Sequence, residues 1–564
     1  MKILFFAPHS AIWEHAFPEA IIADMLKTYG NKITYITCGE TFKKFCIPMS
    51  AFGLSITADS RDKLALCTQC RINKNLIRKK FSLDGYDLQD VLSDNDNLET
   101  IRLISHINKS NFIDFQVNGI EIGRIALYEF LLNAKKNSFE FSDNEWHEYS
   151  IALENCIKSL FACQKIITQE QPDRVIIYNT LYSVNHVCKQ VAEKEGIPVY
   201  FIHAGENLSN RLSTMIVAKD TTFKYRKELI THWPDYRDKI SLLDKYSDVT
   251  DHFLEIMGGK HFLAYSSAKE HDSLGVRAQY NIPKDAKILT ATMSSNDERF
   301  AAESIRVVPV YNNLIFPLQV NWIQCLIDYV KKKENLFLII RVHPREFPNK
   351  RDRVKSEHAV LLEKVFQKLP RNVIVNWPTD ELSLYDLAQD TAVFLNAWSS
   401  VGEEMSLLGI PVVIYSDKLI LYPSDLNYLA EDKQDYFEKI EQALKDGWDF
   451  EKTRSAYRWY ILRFHRGVIN FKASYDPTKR PKVIQFVNKI FNKFFPIYPN
   501  YIVRKYDVLV KINYYKQEDI ESINKMLLNQ NTTLLDTNQQ NIANQLSIEE
   551  ETMILKHEVT RLQI

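Results

Sequence analysis

The sequence carries no net charge: Lys plus Arg and Asp plus Glu each number 71 in 564 residues. With no global field to hold it, nucleic acid drops out as a partner, and any charged surface must be met by a local patch. Cysteine is scarce, at eight residues, and no basic, apolar leader opens the chain. Both absences argue against a secreted disulfide framework and lead to an expectation of a reducing, cytoplasmic location. Long apolar runs are missing too. Stretches such as "FLII" and "RVIIY" are only strand-length, against the roughly 18 to 20 apolar residues of a membrane span.

What is present is alternation. The length exceeds the roughly 250 to 300 residues at which one core stops growing, so at least two domains are expected. "MKILFFAPHS", "EHAFPEAIIADMLKTYG" and "NKITYIT" read as strand, helix and strand, and "PDRVIIYNTLYSVNHVCKQVAEKEGIPVYFIHAG" repeats the pattern with a helix stop at Gly196. Between them, residues 60–150 are more polar and read as a helical insertion. From Ala286 the pattern restarts through "KILTATMSS", a helix near 318–333, "LFLIIRVHP", a helix near 356–368, "NVIVNWP", "TAVFLNAWSS" and "IPVVIY". Both stretches predict parallel, doubly wound α/β sheets. The expected domains are 1–270, 271–455, a returning and basic segment 456–510, and a polar linker with a terminal helix over 511–564.

Open α/β sheets bind ligands at the carboxyl ends of their strands, so function is sought there. In the second lobe those ends are "TMSSNDE", "RVHPRE" and "NAWSSVGEE". Ser399, Ser400 and a glycine open a helix, where unpaired N–H groups favour an anion, and Arg341 and Arg345 flank His343. The plain alternatives are a helix cap for the serines and a satisfied structural histidine.

These motifs resemble bacterial GT-B glycosyltransferases of capsule and lipopolysaccharide assembly, in which an "HP" strand end and an "SS" helix start bind the donor nucleotide. His343, Pro344, Ser399 and Ser400 match them. The resemblance implies an α/β GT-B fold, two Rossmann-like domains facing a cleft, with a helical C-terminal extension. The paired motif looks most like enzymes using CMP-linked Kdo or other nonulosonic acids, and also occurs in CDP-glycerol transferases. It implies nucleotide-sugar contacts at His343, Pro344, Ser399 and Ser400, and the strand-end reading adds Ser294, Ser295, Arg341, Arg345 and Glu403 to the expected set. The first loop, "APHSAIWEHAFPEAIIADM", also looks like that of GT-B enzymes, with His15 three residues before Pro18, but lacks their glycine-rich lead.

His9, Ser10, His203 and Glu206 are therefore expected on the acceptor side, with Asn207 beside them. Glu14 or His15 is expected as general base, with Asp297 and Glu298 in reserve. His343 would stabilise the departing phosphate. The expected reaction is inverting, metal-independent transfer of an acidic sugar from its CMP derivative to a glycan or lipid-linked glycan. A CDP-glycerol phosphotransferase, a UDP-sugar transferase and a non-enzymatic scaffold are the alternatives. No cofactor is expected, and with no DxD-like cluster at a strand end of the second lobe a divalent metal is not needed to hold the donor phosphate. Cys67 and Cys70, with Cys38 and Cys46, form the one zinc candidate.

In the tail, Val483, Phe486, Val487, Ile490, Phe491 and Phe494 fall on one helical face, flanked by Lys479, Arg480, Lys482, Lys489 and Lys493. Residues 479–505 thus suit an anionic inner-membrane surface, or a helix packed on the first lobe. The last helix, with Ile548, Met553, Leu555 and Val559 near one side, is expected to self-associate or dock a partner.

Overall fold

The computed structural model describes residues 1–259, 268, 275–349, 353–495, 499–510, 515–537 and 546–562. Its first lobe is built on β1 (Lys2–Phe6), β2 (Lys32–Ile36), β3 (Arg174–Tyr178), β4 (Val199–Ala204) and β5 (Thr214–Lys219). The second is built on β6 (Lys287–Thr292), β7 (Leu336–Arg341), β8 (Val373–Asn376), β9 (Val393–Asn396), β10 (Val412–Ile414) and β11 (Tyr428–Leu429). A last strand, β12 (Val468–Asn470), returns to the first sheet.

The second sheet is wholly parallel, in the order β11-β10-β9-β6-β7-β8. That is the doubly wound order in which the chain reverses direction between its first and fourth strands, here β6 and β9. Its middle strands are buried on both faces by flanking helices, which is why they read as unbroken apolar runs. The helices expected near 318–333 and 356–368 span Gln319–Val330 and Glu357–Val365. Two Rossmann-like lobes across a cleft, with a helical C-terminal extension, make this a GT-B arrangement.

The first sheet departs from expectation. Its order is β12-β5-β4-β3-β1-β2, and β5 runs antiparallel to β4, as β12 does to β5. β4 is therefore followed in the same sheet by two antiparallel strands, β5 and β12. The signal in "STMIVAK" is short, and its connection to β4 is a loop rather than a crossover helix, so the chain reverses directly. Residues 60–150 hold the helices Ser60–Phe81, Asp94–Ser105 and Leu127–Ala134, and the helical chain runs on through Asp143–Glu170 before β3.

The tail departs further. Leu527, Leu534 and Leu535 of the supposed polar linker are buried, and the helix Gln517–Asn529 packs against Trp13–Thr28 under the first sheet. Residues 538–545 lie outside the described part. The terminal helix Ile548–Arg561 docks on Leu243–Met257 of its own chain. Glu551, fully buried, accepts from Arg458 at 2.8 and 2.7 Å and from Tyr246 at 2.6 Å. Leu555 and Val559 are thus used inside the chain, leaving Ile548 and Met553 exposed. This corrects the expectation of a free self-associating face: the apolar side of the helix is covered by Leu243–Met257 of its own chain.

The basic segment forms a helical hairpin. The helix Tyr501–Leu509 rests on Ser60–Phe81, and Asp507 takes a hydrogen bond from Trp13 Nε1 at 2.8 Å and an ion pair from Arg480 at 2.6 Å. Its partner, Lys482–Phe494, lies outside, held by the Phe491–Tyr501 ring contact and by Asn488 donating to Asn500. Phe491 therefore leaves the expected apolar face, whereas Val483, Phe486, Val487, Ile490 and Phe494 remain exposed. No described helix is long and apolar enough to cross a membrane.

Candidate active site

The carboxyl ends of the two sheets meet across a cleft that the structure divides into two chambers. The smaller, about 390 Å³, takes Glu206, Arg211 and Arg226 from the first lobe and Arg341, His343, Tyr385 and Glu403 from the second. The larger, about 1300 Å³, is reached from the same point. His343, Ser399 and Ser400 line both, so they stand at the boundary. That boundary is the reversal point between β6 and β9, where an open sheet leaves its ligand crevice.

His343 follows β7 and opens the short turn Pro344–Glu346. Its Nδ1 accepts the Arg345 N–H at 3.2 Å. Burial lowers the imidazole to about 4, with Glu346 opposing and Arg345 reinforcing. A neutral ring whose Nδ1 is an acceptor carries its proton on Nε2. His343 is thus a neutral donor at neutral pH.

The flanking arginines separate. Arg341 lines the smaller chamber, donating to Asn376 at 2.6 Å and to the Leu382 carbonyl at 3.1 Å, and burial lowers it to about 10. Arg345 is turned the other way: its guanidinium pairs with Asp297 at 2.8 Å and donates to the Leu132 carbonyl of the first lobe. Arg345 is therefore a strut between lobes and not a donor-side cation. Asp297, 1 % exposed and committed to Arg345 and Ser295, is removed from the candidate bases.

The serine motif also changes meaning. The helix after it is only Val401–Leu407, and its first N–H groups are satisfied locally: Val401 donates to Ser399 Oγ at 3.2 Å and Gly402 to the Ser399 carbonyl at 3.5 Å. Both hydroxyls are engaged as well, Ser399 donating to Asn396 Oδ1 at 3.1 Å and Ser400 to Glu404 at 2.6 Å. Gly402 serves packing, since a Cβ there would meet the Tyr422 hydroxyl at 1.8 Å. Ser294 and Ser295 are buried beside the boundary; Ser294 Oγ accepts the Trp398 N–H at 3.0 Å and Ser295 donates to Asp297 at 2.8 Å. Pro344 lines the smaller chamber.

Glu403 and Glu206 were expected to contact ligand directly. Both instead hold Arg463, from the π-helical turn Leu462–Arg466, at 2.6 and 2.9 Å. Burial alone would raise Glu206, but Arg226 and Arg463 hold it down at about 2. Trp459 Nε1 also donates to Glu403 at 2.7 Å. These groups form a polar wall of the smaller chamber that joins the lobes. Arg463 carried no signal in "YRWYILRFHRG", because its role depends on the chain folding back across the cleft.

Of the first-loop residues, Glu14 is exposed on the far side of its helix, in the field of Arg480 and Arg504, and lines neither chamber. Trp13, pinned to Asp507, fixes that rotation. His15 stacks on Tyr178 at 4.3 Å, and Tyr178 contacts His203 at 5.4 Å. Burial, then His203 and Arg211, push His15 well below its ordinary value, and burial, then Arg211, lowers His203 to about 4. Asn207 is buried and donates to the Asp248 carbonyl. His9 and Ser10 open onto a different cavity, about 310 Å³, inside the first lobe. Burial lowers His9 to about 3. Glu298, by contrast, lines the larger chamber together with His343 and both of Ser294 and Ser295.

Cys38, Cys46, Cys67 and Cys70 do gather around the first-lobe cavity. Burial raises all four thiols, Cys38 to about 12. Among the described residues, the one set with metal-ligand spacing is Glu228, His232 and Asp536, and none of the three lines either chamber.

No family model and no curated relative matches the chain. Among solved structures it is similar to the UDP-GlcNAc 2-epimerase of Neisseria meningitidis bound to UDP-GlcNAc, at 12 % identity and a TM-score of 0.27, over 82 % of this chain and 97 % of that one. It is also similar to the beta Kdo 2,4 transferase KpsC of Thermosulfurimonas dismutans, at 13 % identity and a TM-score of 0.30, over 51 % and 79 % of the respective chains. The Methanocaldococcus jannaschii UDP-GlcNAc 2-epimerase in complex with UDP-GlcNAc and UDP gives 15 % and 0.28, over 81 % and 98 %. At these scores the strand orders, and not the likenesses, carry the description of the fold.

Proposed function

We propose that the protein is an inverting, metal-independent glycosyltransferase that moves an acidic sugar, a nonulosonic acid or Kdo, from its CMP derivative to a bacterial surface glycan. The observation that carries this reading is His343: a neutral, Nε2-protonated imidazole at the boundary of the two chambers, between Ser399 and the strand end of β6. The smaller chamber has the volume of a nucleotide-sized ligand. Arg211 and Arg341 line it, and balance negative charge on the phosphate.

In the reaction, an acceptor hydroxyl attacks the anomeric carbon while the bond to the phosphate oxygen breaks, and CMP departs with the electron pair. The Nε2–H of His343 and the Ser399 and Ser400 hydroxyls donate to that phosphate as charge develops. Glu298 is the general base by position, since it alone of the four candidates is a carboxylate lining the larger chamber. His15 remains the second candidate, behind Tyr178.

The hairpin supports a peripheral location on the inner membrane. Its outer helix exposes Phe486 and Phe494 with Lys482, Lys489 and Lys493 beside them, the pattern of an interfacial helix on an anionic bilayer.

A thermal-shift panel of CMP, CDP, UDP and GDP, followed by incubation with CMP-sialic acid, CMP-Kdo, CDP-glycerol and UDP-GlcNAc, tests the reading. Selective stabilisation by CMP and release of CMP with sugar transfer are expected. Transfer of phosphoglycerol from CDP-glycerol, stabilisation by UDP alone, or no nucleotide binding would each reject it.

A further inference from the structure

The larger chamber has an excess of positive charge. Seven Lys and Arg side chains line it against four carboxylates, in a protein whose net charge is zero. Four of the seven are spent locally. Lys189 and Lys224 share Asp220, Arg299 holds Glu303 at 2.7 Å, and Arg306 holds Glu121 at 2.7 Å. Three are not: among the described residues, Arg124, Lys227 and Lys418 make no ion pair. Arg124 reaches the Ser304 carbonyl at 3.4 Å, and Lys227 reaches the Ile420 carbonyl at 3.1 Å. Asp417 acts on Lys227 through space without pairing with it.

These three cations come from both walls. Arg124 and Lys227 belong to the first lobe and Lys418 to the loop after β10 of the second. Trp398, the residue before Ser399, lines the same chamber, with the Arg299 guanidinium over one face of its ring at 5.0 Å. An indole is a platform for the apolar face of a pyranose ring, and uncompensated cations in a cleft concentrate anions.

We infer that the larger chamber is the acceptor subsite and that it takes an acidic glycan, whose sugar packs on Trp398 and whose carboxylates meet Arg124, Lys227 and Lys418. The inference rests on the transferase reading for its role but not for its chemistry. A chamber of about 1300 Å³ accommodates several sugar units, and its opening at His343 places the end of that chain beside the donor phosphate.

Binding to the full-length protein is measured by calorimetry with three probes: hexagalacturonate, maltohexaose, and a linear polyphosphate of matched charge. Hexagalacturonate is expected to bind about ten-fold or more tightly than maltohexaose, and to weaken as salt rises from about 50 to about 300 mM. The triple variant R124Q/K227Q/K418Q should remove that preference while its affinity for CMP stays within about two-fold of the parent. W398A should weaken hexagalacturonate but not polyphosphate. Equal binding of the charged and neutral glycans, equal binding of polyphosphate and hexagalacturonate, or a triple variant that keeps the preference would overturn the inference, as would no glycan binding at all. Hexagalacturonate binding through these residues in a protein that ignores CMP would keep the subsite and reject the donor reading, so the two fail separately.

Discussion

Arg463 and Glu206 lie 2.9 Å apart across the line where the first lobe meets the returning C-terminal segment, and the same guanidinium reaches Glu403 of the second lobe at 2.6 Å. Three elements distant in sequence are thus tied at one buried charge. Removing it leaves Glu403 desolvated without a counterion and Glu206 with Arg226 alone, which is much worse than removing one end of a surface pair. R463A is expected to cost about 3–5 kcal/mol in urea denaturation. The isosteric E206Q should cost less, because Arg463 keeps Glu403. A loss below about 1 kcal/mol for R463A would show that the bridge is solvated.

His343 should act as a neutral donor. H343A is expected to lower kcat by about 10² to 10³ with a smaller change in KM, the cost of one lost donor to developing charge. Because burial holds the ring at about 4, the parent's kcat profile should show no limb from this histidine between pH 6 and 8. An acid limb near 6.5 that vanishes in H343Q would contradict the neutral assignment. E298Q should lower kcat by about 10² or more, as removal of a general base does.

Several histidines are held neutral by burial: His9 and His465 at about 3, and His186, His203 and His343 at about 4. The unfolded chain binds protons at these sites near 6.5, and the folded chain does not until about 4. Protons therefore favour the unfolded state as pH falls through that window. Stability should be flat in this respect above pH 7 and fall steadily from about 6.5 to 4. Thermal melts at pH 7.5, 6.5 and 5.5 check the slope; a Tm rising towards pH 5.5 would be incompatible with it.

The outer hairpin helix should bind bilayers through its rings. Flotation with vesicles containing phosphatidylglycerol is expected to carry the protein, and F486E/F494E should abolish it without changing the melting temperature by more than a degree or two. Binding that survives the double variant, or that is equal on neutral phosphatidylcholine, would remove the membrane role.

Much of the second lobe was legible in the sequence because β7 to β10 are apolar runs ended by polar turn residues, and the parallel order follows from regular helix spacing. His343, Ser399 and Ser400 were found for the same reason: strand ends in such a sheet converge. The first lobe was harder to read. The antiparallel β5 and β12 are short, and β12 lies some 250 positions from its partner, so no local pattern announces their pairing. Rotation misled most. Spacing placed Glu14 near the cleft, but the Trp13–Asp507 bond turns it outward. Arg463 and Lys227 were missed because their meaning comes from what faces them across the cleft, not from their neighbours in sequence.

The return of β12 and of the helix Gln517–Asn529 to the first sheet has a consequence for synthesis. The second lobe is continuous in sequence and can close as soon as it leaves the ribosome. The first lobe, although made earlier, lacks an edge strand and one buried helical face until the chain has passed residue 529. Domains usually mature in the order in which they are made. Here the N-terminal lobe must wait, its apolar underside uncovered, until β12 and the helix Gln517–Asn529 have joined it.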